Sequence, residues 1–374
     1  MGFPLPRGTA ANWCIYCLEE YLLPIYKRMH EHLLMREVIH AYVVPCKVLH
    51  EEGREATAKS YMWLYTSGND RLPGIVLYEY QPGRGGQYPK AFLERFKGYV
   101  HCDGYTAYGQ LENVTLVYCL AHCRRKFFDA IPQGRRKKLK LADTSSDVPI
   151  QEIEGDKGKL LPAEIGLNYC NRLFLLERGF KDMSAEDRKA MRQKQSAPVW
   201  KQFWQWLDTF EPAGGSALDK AVTYAKNHHD TLMNYLEDGR CEASNNRAER
   251  RVKSYVTGRK NFLFHNSVGG ANASAVILSL VESARANNLN IFQYLYPLLL
   301  YMPDYKNEPA GIEKLLPWSD FVKDQFCLTI NRTFTQGPWH ARYTKKAQPW
   351  LNMVGPSWSY MSFLKQSAST SISN

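Results

Sequence analysis

Asp238-Gly239-Arg240-Cys241-Glu242-Ala243-Ser244-Asn245-Asn246-Arg247-Ala248-Glu249-Arg250-Arg251 sets one acid, Glu249, inside a helix crowded with arginine. A carboxylate there is either neutralised by the arginines or holds a metal beside a phosphate backbone. Ser244 and Asn245 offer the side-chain oxygens that open helices. Lys253 lies four residues on, and an i,i+4 ion pair would by itself account for Glu249. A second lone carboxylate closes His101-Cys102-Asp103-Gly104-Tyr105, where a strand ends. Asp-Gly is also a common turn pair, so each acid alone reads as ordinary structure. Together they suggest two of the three acids of a two-metal site that cuts nucleic acid.

Outward from these acids the chain reads as an α/β protein. Asn12 to Arg36 is helical, with Leu18, Leu22, Ile25, Met29 and Leu33 on one face. Val38–Leu49, Ser60–Thr66 and Gly74–Tyr80 read as three strands joined by turn residues, an antiparallel meander. A short helix over Tyr88–Phe96 follows, then strands at Tyr99–Cys102 and Val114–Cys119 and a basic helix from Cys123 to Ala130. Gly134–Lys140 is a basic run, and residues 141–160 have loop composition. Helical spacing returns from Pro162 to Glu237 as an all-α insertion before the Glu249 helix. Ser267–Asn287 is apolar almost all round and reads as a buried helix.

The 374 residues carry a net charge of +11, which favours a polyanionic partner, nucleic acid first. A hydrophobic content of 44% excludes a largely disordered chain. No apolar run has the length of about 18–20 residues that a membrane span needs. Nine scattered cysteines suit reduced thiols in a cytoplasm. Cys14 and Cys17 have C-x-x-C spacing, and they read as small apolar residues of a helix in preference to zinc ligands.

The longer motifs carry a resemblance. Asp103-Gly104-Tyr105-x-x-Tyr108, Cys119 through Phe128 with His122, Arg124 and Arg125, the Asp238–Arg250 segment, and Gly258-Arg259-Lys260-Asn261-Phe262-Leu263-Phe264 follow one another. In this order they resemble the bacterial insertion-sequence transposases of the IS66 family over roughly residues 5–325. The resemblance implies a ribonuclease H-like mixed sheet with flanking helices and an all-α insertion. It implies DDE-type chemistry: cleavage of element ends and joining to target DNA, with two Mg²⁺ ions held by acids. Asp103 would be the second catalytic and metal-binding acid and Glu249 the third. His122, Arg124, Arg125, Arg247, Arg250, Arg251, Arg259 and Lys260 are expected at the DNA. A homo-oligomer on DNA, a bacterial cytoplasmic location and no membrane association are expected with it.

The chain departs from the pattern at the first acid. The aligned segment reads His40-Ala41-Tyr42-Val43-Val44-Pro45, so Tyr42 stands where the family carries Asp. A phenol, with a pKa near 10, is neutral at pH 7 and a poor Mg²⁺ ligand. The family's N-terminal zinc-binding and helical DNA-binding segments are expected to precede this start. Residues 327–374 lack Asp and Glu, unlike the family's usual ending, and are expected to be disordered. The expected organisation is a helical segment (1–37), the first part of the core (38–133), a basic linker and insertion (134–237), the second part of the core (238–326) and the tail (327–374). Three readings stand: a DDE transposase impaired at Tyr42, a DNA-binding remnant without catalysis, and a remnant that barely folds.

Overall fold

Alternating and continuous runs of Val, Ile, Tyr and Trp build the five-stranded sheet of the computed structural model, which describes residues 6–138 and 160–326. The sheet lies in the larger of two compact units, which runs from Met29 to Asn266; the described residues of the other are 6–28 and 267–326, and the tail, 327–374, lies outside the described residues. Its strands are β1 (Val38–Cys46), β2 (Ser60–Ser67), β3 (Val76–Gln81), β4 (Gly98–Cys102) and β5 (Val114–Tyr118). Their spatial order is β3-β2-β1-β4-β5. β1 pairs antiparallel with β2 and β2 with β3, whereas β1–β4 and β4–β5 are parallel. Only β2 therefore runs against the others, and the meander expected from the turns is the antiparallel half of a mixed sheet. Both faces are covered: the burial of β2 is almost unbroken along its length, as a central strand requires.

Val38–Leu49 was expected to be one strand. It breaks at Lys47 into β1 and a separate piece, Val48–His50, which pairs with His265–Ser267. The Lys47 carbonyl accepts from the His265 amide at 2.9 Å, so the chain changes partner there. The short helix α1 is Gln87–Phe92. The basic helix, α2, spans Leu120–Ala130 and starts three residues earlier than its sequence suggests. The expected loop, residues 141–160, and the last two residues of the basic run lie almost wholly outside the described residues; Gln133–Lys138, which holds the rest of the run, is a helix.

The insertion is helical as expected. Its main elements are α3 (Pro162–Gly179), α4 (Ala197–Leu207) and α5 (Ala217–Asn227), and α6 (Asn246–Phe262) follows with Glu249. Trp200, Phe203 and Leu207 recur on one face of α4 and are fully buried, each contributing roughly 2–3 kcal/mol by leaving water. Gly166 lets α3 approach α2 closely: a Cβ there would lie 2.3 Å from the Phe127 ring. Arg192 is wholly buried before α4. It grips Glu177 with two bonds (2.8 and 2.6 Å) and donates to the carbonyls of Tyr235, Asp238 and Cys241. One guanidinium thus fixes the segment that leads into α6.

The other unit is helical. Arg7–Cys17 packs on Val268–Ala286, which is buried along most of its length, as its all-round apolar face predicts. Cys14 and Cys17 are free and half-buried there, with their thiols pushed up by burial. Arg28–Glu313 (2.6 Å) and Lys306–Glu20 (2.9 Å) tie its segments. Among the described residues no helix is long and apolar enough to cross a membrane.

Candidate active site at the ends of β1 and β4

β1 and β4 run side by side with His40 opposite His101. Two residues further along each strand stand Tyr42 and Asp103. Asp103 follows the last residue of β4, and its Oδ1 accepts from the Tyr105 amide at 3.1 Å. Gly104 takes φ +79°, and a Cβ there would crowd Tyr224 Oη at 3.1 Å and the Tyr118 ring at 3.3 Å. The turn is therefore glycine by necessity. Glu249 lies in the first turn of α6, where the unpaired amides of the helix start favour an anion.

Tyr42 senses both acids. Burial pushes its phenol up, and the charges of Glu249 and Asp103 push it further, opposed by Arg125. It is protonated at neutral pH. Tyr108, Tyr118 and Tyr224 also surround Asp103; burial raises each phenol first and the Asp103 charge adds to it. Tyr108 was visible in the motif. Tyr118 and Tyr224 were not singled out, because they reach the site from β5 and from α5 with no spacing to link them. Arg84 lies 3.6 Å over the Tyr105 ring, and Tyr105 donates to the Arg84 carbonyl.

Beneath the acids lies a buried polar layer. His40 and His101 are fully buried and stacked, with centroids 4.2 Å apart. Asn245 Nδ2 donates to the Ala41 carbonyl (2.8 Å), so its Oδ1 accepts from His40 Nδ1 (2.9 Å). His101 Nε2 accepts from the Glu242 amide at 3.3 Å. Asn245 was expected to cap α6 with its side chain; it makes no such cap bond, because that side chain is spent inward on β1. Burial holds His40 down to about 4 and His101 well below its ordinary value. Burial also raises Glu242, but nearby positive charge and the Arg247 hydrogen bonds outweigh it and leave its carboxyl low. Since His40 is neutral at pH 7, Arg247 is the partner that matters, at 2.6 Å.

The expected DNA-contacting residues separate by exposure. Arg125, Arg250 and Lys260 are exposed, and Arg251 and Arg259 are half-buried. Arg247 is half-buried on Glu242. Arg124 is the correction: it is 3% exposed and donates to Asn171 Oδ1 at 2.6 Å, tying α2 to α3. Its place in a basic run hid the inward direction of its side chain. Glu249 was weighed as a partner of Lys253. Among the described residues its ion pair is with His122, Nε2 to Oε1 at 3.6 Å.

The donors do not fit two magnesium ions. Magnesium takes oxygen ligands in tight octahedral geometry, and a two-ion clamp needs anionic groups to share. Here two carboxylates stand with a protonated phenol, an imidazole and a thiol.

A family model described as "Transposase IS66 family" matches residues 1–273. "Uncharacterized protein y4jD" of Sinorhizobium fredii (strain NBRC 101917 / NGR234) is 29% identical over 334 residues, covering 85% of this chain and 60% of the relative. "Uncharacterized protein y4qI" of the same strain is 30% identical over 342 residues, covering 85% and 57% respectively. The chain thus spans well under two thirds of the length of these relatives. No solved structure matches the chain.

Proposed function

The chain belongs to the IS66 family of transposases, and from that premise we propose that it is a DDE-type catalytic core that binds DNA and whose strand cleavage is impaired by Tyr42. The observation that carries this reading is the meeting of Tyr42, Asp103 and Glu249 at the ends of β1 and β4 and the start of α6. Three sites far apart in sequence converge where the family pattern calls for three acids, and one of the three is a neutral phenol.

A sheet ordered β3-β2-β1-β4-β5, with β2 alone reversed, supports a ribonuclease H-like core. In that reading Arg125, Arg250, Arg251, Arg259 and Lys260 bind phosphates, and Arg247 orients the start of α6 through Glu242. The partners would be the ends of a mobile element and its target DNA. With an acid restored at position 42, the oxygen set would suit Mg²⁺.

The test pairs the chain with Tyr42→Asp in a cleavage assay on DNA bearing the element's inverted repeats, with Mg²⁺ or Mn²⁺. The expected result is cleavage by Tyr42→Asp at least about a hundredfold above the natural chain, the scale of a lost electrostatic contact in the transition state. Equal cleavage by both would overturn the assignment of Tyr42. Salt-sensitive DNA binding without cleavage by either would favour a DNA-binding remnant.

A further inference from the structure

Cys119 is the N-cap residue of α2, and His122 lies in its first turn. Glu249 reaches the same point from α6. One ligand atom from each of the three lies within 4.8 Å of the other two. The His122–Glu249 separation of 3.6 Å is beyond a good hydrogen bond. Two ligands of one tetrahedral zinc ion, bound at about 2.0–2.2 Å, sit about 3.4 Å apart. Cys119 Sγ also accepts the Asn245 amide at 3.1 Å, the kind of N–H bond that supports a metal-bound thiolate. His122 Nδ1 is buried without a hydrogen-bond partner, so the ring is not committed elsewhere.

We propose that Cys119, His122 and Glu249 form a site for one zinc-class ion, with a fourth position open to water. The donors argue for the ion class. Sulfur and imidazole select zinc or cobalt over magnesium, and tetrahedral coordination needs three protein ligands where octahedral two-magnesium binding needs more acids than Tyr42 leaves. The ion would hold Glu249 against α2, which fixes α6 over β1. The inference needs only these three side chains and does not rest on DNA being the substrate.

The experiment titrates the metal-free full chain with Co²⁺, then Zn²⁺, in the absence of DNA. One equivalent of Co²⁺ should give the near-ultraviolet thiolate-to-cobalt charge-transfer band and intense tetrahedral d–d bands, and Zn²⁺ should bleach both. Cys119→Ser should abolish the charge-transfer band. His122→Gln and Glu249→Gln, on half-exposed side chains, should keep the fold and weaken Zn²⁺ by on the order of a hundredfold. The double variant Cys14→Ser/Cys17→Ser should retain the band. No band on the natural chain, a band that survives in Cys119→Ser, or a band lost with Cys14 and Cys17 would each overturn the site. If Cys119→Ser does not fold, unchanged Zn²⁺ affinity in both His122→Gln and Glu249→Gln would do so. Cleavage and DNA binding are not read, so failure here leaves the transposase reading untouched.

Discussion

Asn245 shows how much one side chain can hold. It joins His40, the Ala41 carbonyl and, through its amide, Cys119. Removing it leaves buried partners unsatisfied at about 1–3 kcal/mol each. Asn245→Ala should lower unfolding free energy by roughly 2–4 kcal/mol in urea titration; a loss under 1 kcal/mol would mean that water replaces the amide. The stacked histidines predict an acid limit as well. Unfolded His40 takes its proton near 6.5, whereas the folded ring waits until about 4. Between those values the unfolded chain binds more protons, so stability rises with pH. The contribution is complete above about pH 6.5 and lost towards pH 4, roughly 3 kcal/mol for His40. Melts between pH 4 and 7 should flatten in His40→Phe, and an unchanged slope would place the acid sensitivity elsewhere.

The strands were legible because β-branched and aromatic runs end in turn residues, and the insertion because its apolar positions recur at helical spacing. What sequence hid was direction. Nothing local tells that Arg124 points inward while Arg125 points out, or that Asn245 turns towards β1 and not along its own helix. The strand break at Lys47 depends on His265, a partner far along the chain. Glu249, Asp103 and Tyr108 were singled out through motifs; Tyr118 and Tyr224 needed the fold. Among the elements, the segment from Tyr235 to Cys241 hangs on Arg192. Arg192→Lys keeps the charge and loses the fork. It should cost about 3–5 kcal/mol, the scale for breaking a buried pair, seen as a lower melting temperature. Gly166→Leu should also destabilise, by at least about 1–3 kcal/mol, by driving a side chain into Phe127.

At the scale of the whole molecule the charge of +11 is the governing quantity. If the chain binds DNA, affinity should fall steeply with salt, and each arginine that touches a phosphate should remove about 0.9 from the logarithmic salt slope when lost. Arg125→Ala and Arg250→Ala are expected to reduce it, as measured by fluorescence anisotropy at several salt concentrations. Arg124→Met should leave the slope alone and lower the melting temperature, since Arg124 faces Asn171. A reversed result would mean that helix α2 presents its other side.

The bond between His40 and Asn245 joins residues 205 apart in the chain. The two ends of that bond emerge from the ribosome with the whole insertion between them. At about 5–20 residues per second, synthesis separates them by at least about ten seconds. Strands β1 to β5 exist in the growing chain well before α6 does, and closing so long a loop is a late event in folding. A nascent or prematurely terminated product would therefore present β1 and β2 without the helix that covers them. Synthesis itself thus withholds the finished site until α6 has followed the insertion out of the ribosome.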